Sequence, residues 1–206
     1  MYDRRYDGKV LTFEASGGLI RSTLVLQDRE TDSYWPIMSG QSIQGELSGT
    51  PMKKMAVNRK MTWSDWVDMH PETLVLSVNG IEDQADTYSN YFQSKRGFRN
   101  TKAKDKRLKT KAPIYAFRLK GKPYAASYND IVGGKQFKLG GQVAYLYRSP
   151  YFGLHDSTLA YIADADAGCP FDASKVRLGG CGEPLEGFDT FWYNWSLNNP
   201  KLELLK

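Results

Sequence analysis

The segment Asp28-Arg29-Glu30-Thr31, at the end of a predicted strand, could place a bidentate guanidinium and a carboxylate at a pocket mouth, with Trp35 shortly after it as a stacking platform. A guanidinium takes a carboxylate or phosphate through two parallel hydrogen bonds, and a neighbouring carboxylate can orient it. The plainer reading is an Asp-led turn with an exposed ion pair, and a buried core aromatic is the commoner fate of Trp35. A second candidate is Arg96 with Arg99, inside the stretch Lys95 to Lys111, where nine Lys or Arg stand against the single acid Asp105. Tyr88, Tyr91 and Phe92 precede that stretch and Phe98 interrupts it. Basic residues interleaved with aromatics are what single-stranded nucleic acid needs for backbone contact and stacking. A solvated loop is the stronger reading, nucleic acid the weaker, and a small anionic ligand lies between them.

The remaining reactive types are sparse. His70 falls at a predicted helix end, where the dipole favours an imidazolium, so capping outweighs catalysis. His155-Asp156 has no Ser or Cys nucleophile beside it in sequence, which leaves a triad unsupported. Asp164-Ala-Asp166-Ala-Gly168 lacks the third ligand and the closing Glu of a calcium loop and reads as a turn, so no metal site is predicted. Cys169 and Cys181 form no C-x-x-C; they are a candidate disulfide or two free thiols. As a disulfide they would stabilise by roughly 3 kcal/mol.

The elements that carry these residues show a pattern written twice, Trp63-x-x-Trp66-x4-Pro71 and Trp192-x-x-Trp195-x4-Pro200. Each copy follows an acidic glycine turn, Gly45 to Gly49 and Gly182 to Gly187. Both read as two-turn helices stopped by proline, which disfavours α geometry at the residue before it. Thr62 with Asp65 fits a capping box for the first, and Asp189 or Thr190 is the expected cap of the second. The indoles of both helices are expected to anchor a β core. Asp7-Gly8 predicts a hairpin, Leu19 to Leu26 a strand, and Ser33 to Met38 another ending near Pro36. Leu74 to Val78 reads as a strand closing at Asn79-Gly80, and Lys120-Gly121 as the turn between Ile114 to Leu119 and a strand from Pro123. The fold expected is mainly β, a β-rich α+β domain of two pseudo-repeated antiparallel units, each with a short Trp-bearing helix. A single domain over 1–206 would have halves at about 1–80 and 112–206, joined by a basic, aromatic connection over 81–111.

At 206 residues, with 41% hydrophobic and 25% charged residues, the composition is that of a folded globular chain. The net charge of +5 comes from the basic stretch, and the remainder is acidic. No run approaches the roughly 20 apolar residues that cross a bilayer. Met1 leads directly into Tyr2-Asp3-Arg4-Arg5 without an apolar h-region, so no signal peptide is read, while Tyr2 to Tyr6 reads as the middle of a hairpin and predicts residues upstream.

Tyr2 to Phe13, Leu24 to Thr31 with Trp35, Gly45 to Gly49 and Trp63 to Pro71 together resemble the bacterial and archaeal family termed domain of unknown function 3179. Asn90-Tyr91-Phe92, Arg96-Gly97-Phe98, Pro113 to Phe117 and the terminal Trp pair extend the resemblance over most of the chain. It departs at Arg21-Ser22-Thr23, where the family pattern is closer to Asn-Ser-Asp. The resemblance implies a Cys-Pro-x-Cys-like motif just upstream of Tyr2, sometimes with selenocysteine. It therefore implies thiol or selenol redox chemistry at the cell envelope, in a periplasmic or extracellular location. From the residues themselves, the alternative is a non-enzymatic binding module for an anionic ligand or polymer. Neither reading predicts a cofactor.

Overall fold

The computed structural model describes residues 2–55, 63–75, 88–150, 157–168 and 182–206. Thr62, the Asp65 side chain, the end of the strand expected over Leu74 to Val78, Asn79-Gly80, His155-Asp156 and both cysteines lie outside the described residues.

Asp7 and Gly8 have φ of 46° and 73° and reverse the chain between β1 (Arg5–Tyr6) and β2 (Lys9–Val10). Positive φ at both turn residues gives a backbone twist that matches the twist of the flanking strands. Three antiparallel strands follow, β3 (Phe13–Ile20), β4 (Thr23–Asp28) and β5 (Tyr34–Pro36). The strand expected over Leu19 to Leu26 is thus cut in two. Arg21 and Ser22, at φ 47° and 62°, form a second tight turn where the family departure falls. Left-handed backbone costs a residue with a Cβ about 1–2 kcal/mol. Remote contacts hold it: Asn198 Nδ2 donates to the Arg21 carbonyl at 3.3 Å, and the Ser22 and Thr101 hydroxyls meet at 2.7 Å.

Helix α1 (Trp63–Met69) and the short α2 (Ser89–Gln93) precede the larger β assembly. There β6 (Pro113–Leu119) and β7 (Lys122–Ser127) form a hairpin about Lys120-Gly121, again with positive φ at both positions, 49° and 79°. After α3 (Tyr128–Ile131) come β8 (Lys135–Leu139), β9 (Gln142–Tyr147), β10 (Leu159–Asp164), β11 (Glu183–Pro184) and β12 (Gly187–Phe191). Helix α4 (Trp192–Asn198) and β13 (Glu203–Leu205) close the chain. Two four-stranded sheets result, in the orders β11-β10-β9-β8 and β12-β6-β7-β13. Among the described strands the pairings are antiparallel except that of β13 on β7.

Side-chain alternation explains the layering. Tyr115, Phe117 and Tyr124 from β6 and β7 meet Phe137, Leu139 and Leu146 from the other sheet in one buried cluster. The opposite face of β6 and β7, with Ile114, Ala116 and Ala125, packs on Trp192 and Trp195 of α4. Strand β6 is therefore covered on both faces, which is why its sequence reads as nearly continuous apolar residues.

Both Trp patterns form helices of seven residues that start on the first Trp and end before the proline. Their burial differs. Trp192 and Trp195 are 0% and 2% exposed, whereas Trp63 is 57% exposed, so the expected anchoring holds for the second pair and not for Trp63. The expected caps Asp189 and Thr190 are corrected: both lie within β12, and Phe191 is the cap residue with no side-chain bond. Pairing with β6 keeps the chain extended up to Phe191. The first helical N–H groups instead donate to main-chain carbonyls, Trp192 to Ala112 and Tyr193 to Thr110, each at 2.9 Å.

Candidate functional site

The first sequence candidates resolve into a buried network. Asp28 is 0% exposed. Its Oδ1 accepts the Thr31 N–H and hydroxyl, both at 2.7 Å, and its Oδ2 accepts the Trp35 indole N–H at 2.7 Å. Burial alone would raise this carboxyl, but the donors from Thr31, Trp35 and Ser33 outweigh it and hold the pKa below the ordinary range. Trp35 is buried edge-on against Phe13. Arg29 turns to the surface and pairs with Glu14 at 2.6 Å. These three residues tie β3, β4 and β5 together and line neither cavity described below.

The basic stretch is folded onto α4. The Tyr193 hydroxyl lies 3.0 Å from that of Tyr91 and accepts the Phe98 N–H at 3.3 Å, and the Trp192 indole donates to the Asp105 carbonyl at 2.9 Å. Lys111 Nζ sits 3.9 Å above the Tyr91 ring and 5.1 Å from that of Phe191, and its loss of solvent lowers its pKa. Arg96 and Arg99 both point outward, with Arg99 at φ 50° and its guanidinium 5.7 Å from the Phe98 ring. They too line neither cavity described below. His70 is exposed and lies against Trp66, ring centroids 4.4 Å apart. Among the described residues no group of three potential metal ligands occurs.

What the structure does enclose is a cleft of about 410 Å³ where the N-terminal sheet meets β6, β12 and α4. Met38, Lys54 and Met55 come from the first half, and Arg118, Phe188 and Asn194 from the second. Tyr2 closes one side. A main-chain bridge to Lys54 sets its backbone, and its ring covers Gly40 so closely that a Cβ there would fall 2.3 Å from it. Burial raises the Tyr2 pKa, and nearby Arg118 partly offsets that rise.

Arg118 is the best-positioned cation in the cleft. It donates to the Gly121 carbonyl at 3.2 Å and to Asn199 Oδ1, and its guanidinium lies 5.4 Å from the Trp195 ring. Such contacts fix a flexible side chain before any ligand arrives. Glu186 also lines the cleft, so the lining holds two cations, Lys54 and Arg118, against one carboxylate. Sequence reasoning missed Lys54, Arg118, Glu186 and Asn194. The one local signal was Arg118 interrupting the apolar run of β6, since an arginine at the end of a doubly covered strand has to emerge at an edge.

A second feature that sequence reasoning missed lies between the sheets. Arg148 and Asp189 form an ion pair at 3.4 Å with both side chains 3% exposed, and Thr158 donates its hydroxyl to Asp189 at 2.6 Å. The Arg148 guanidinium lies 3.5 Å from the Tyr128 ring centroid.

No curated protein and no solved structure matches the chain. The family model described as "Protein of unknown function (DUF3179)" matches residues 1–201, and the chain belongs to that family.

Proposed function

We propose that this domain is a binding module for a small anionic ligand, held in the cleft between its halves. The observation that carries the reading is the pairing of Arg118 and Lys54, contributed by different halves, in a cleft whose other walls are largely apolar. Like most of the described cations, Lys54 and Arg118 have no ion pair with a carboxylate among the described residues; what sets these two apart is that they line the same cleft. Two cations against the single carboxylate of Glu186, beside a largely apolar surface, suit a ligand that brings its own negative charge. The cleft volume falls in the range of small-molecule sites, about 300–1,000 Å³. Thiol or selenol redox chemistry rests on the family resemblance and draws on no described residue.

Calorimetric titration of the chain with small carboxylates and inorganic phosphate at low salt tests this. Binding should weaken steeply with ionic strength, and Lys54→Gln, at an exposed position, should weaken it about tenfold without lowering the melting temperature. Absence of binding by the wild type to any of these anions rejects the reading.

A further inference from the structure

A second cavity of about 270 Å³ adjoins the first. Met38, Ser39 and Arg118 line both, so the two meet along one wall with Arg118 at the junction. Its own lining adds Ile20, Pro36 and Ile43 as apolar surface, with Arg21 and Asn198 as polar groups. Arg21 has no carboxylate partner among the described residues. Its backbone is fixed by the left-handed turn and by the Asn198 amide on its carbonyl, and Asn198 lines the same cavity. Three cations therefore follow one another: Arg21 in the second cavity alone, Arg118 in both, Lys54 in the first alone. The same walls carry apolar side chains, Met38 in both cavities and Ile20 and Ile43 in the second.

Resting on the cleft reading above, we propose that the two cavities form one groove for an elongated dianion with an apolar middle, such as a linear α,ω-dicarboxylate. One carboxylate is held by Arg21 and the other by Lys54 with Arg118, the two cations of the cleft. The chain between the carboxylates passes Met38, which lines both cavities. A ligand charged at one end only would leave one terminal cation unmatched, so the placement of charge selects for charge at both ends and for a minimum length. The left-handed Arg21-Ser22 turn thereby acquires a role in setting specificity, since it puts the Arg21 side chain at the far end of the groove.

The test uses the full chain and compares dicarboxylates of about four to twelve carbons with monocarboxylates of matched length, by calorimetry at low salt. Affinity should rise with dicarboxylate length to an optimum, where the dicarboxylate binds about tenfold tighter than its monocarboxylate, the worth of one charge-assisted contact. Arg21→Gln should bring the dicarboxylate to the level of the monocarboxylate. Ile43→Glu, which adds a carboxylate to the second cavity only, should do the same with the melting temperature retained. Equal binding of long mono- and dicarboxylates, or an Arg21→Gln variant that keeps the length preference, overturns the spanning groove while leaving the cleft reading in place. Failure of the wild type to bind either series overturns both.

Discussion

Asp28 shows how a residue with the right chemistry for a site can be spent on structure. Its carboxylate satisfies three donors from Thr31 and Trp35, so Asp28→Asn forces an amide N–H toward a donor and should destabilise by about 1–3 kcal/mol. The pH dependence follows from the direction of its shift. The folded pKa lies below the ordinary value, so the stabilisation is present above the unfolded pKa of about 3.9 and is lost as pH falls through the folded pKa. Urea denaturation between pH 7 and pH 2 should show a smaller acid loss for Asp28→Asn than for the wild type; parallel profiles would show that this carboxylate is not a source of acid sensitivity. Arg148 and Asp189 differ, because both charges are buried together. Asp189→Asn removes the carboxylate partner of a buried guanidinium and should cost about 3–5 kcal/mol, and the double change with Arg148→Met should cost less than the two single changes summed. Additive losses in denaturant midpoint would mean that the two side chains do not interact energetically.

At the scale of elements, the same short pattern has two outcomes because the surroundings differ. Trp192 and Trp195 pack on the small residues Ala116 and Ala125 of a sheet, while Trp63 remains mostly exposed. Trp195→Ala should cost about 3–5 kcal/mol and Trp63→Ala under about 0.5 kcal/mol, read from chemical denaturation. Equal losses would show that α1 is anchored as firmly as α4. The helices themselves were legible in the sequence, since proline stops and indole spacing are local. So were the hairpins at Asp7-Gly8 and Lys120-Gly121, where a glycine supplies one of the two positive φ values. The Arg21-Ser22 turn was not legible, because neither residue prefers that backbone and the contacts that hold it come from Asn198 and Thr101. The cap of α4 was misread for a related reason: carbonyls of Ala112 and Thr110, remote in sequence, replace a side-chain cap.

At the scale of the molecule, the cleft was hidden from the sequence because its walls come from both ends of the chain and from β6, with only Arg118 in the apolar run of β6 as a local mark. The basic connection was legible in charge but not in placement. Its position depends on a buried aromatic, Tyr193, whose hydroxyl serves both Tyr91 and Phe98 and whose ring stacks on Phe191, centroids 6.5 Å apart. Gly97 passes directly over that ring, and a Cβ there would meet it at 2.6 Å. The φ of Gly97 is −71°, so its backbone is not strained for other residues and the obstacle is space alone. Neither partner can retreat without breaking the hydroxyl contacts. Gly97→Ala should therefore lift the connection off α4 at a cost of about 1–3 kcal/mol. Since that cost falls on docking, trypsin should cut within Lys95 to Lys111 about tenfold faster than in the wild type, while the strands from β6 onward keep their amide protection. Unchanged cleavage with an intact sheet would mean that the stretch is held by contacts other than Tyr193, of which the Lys111 cation over Tyr91 and Phe191 is the next to remove.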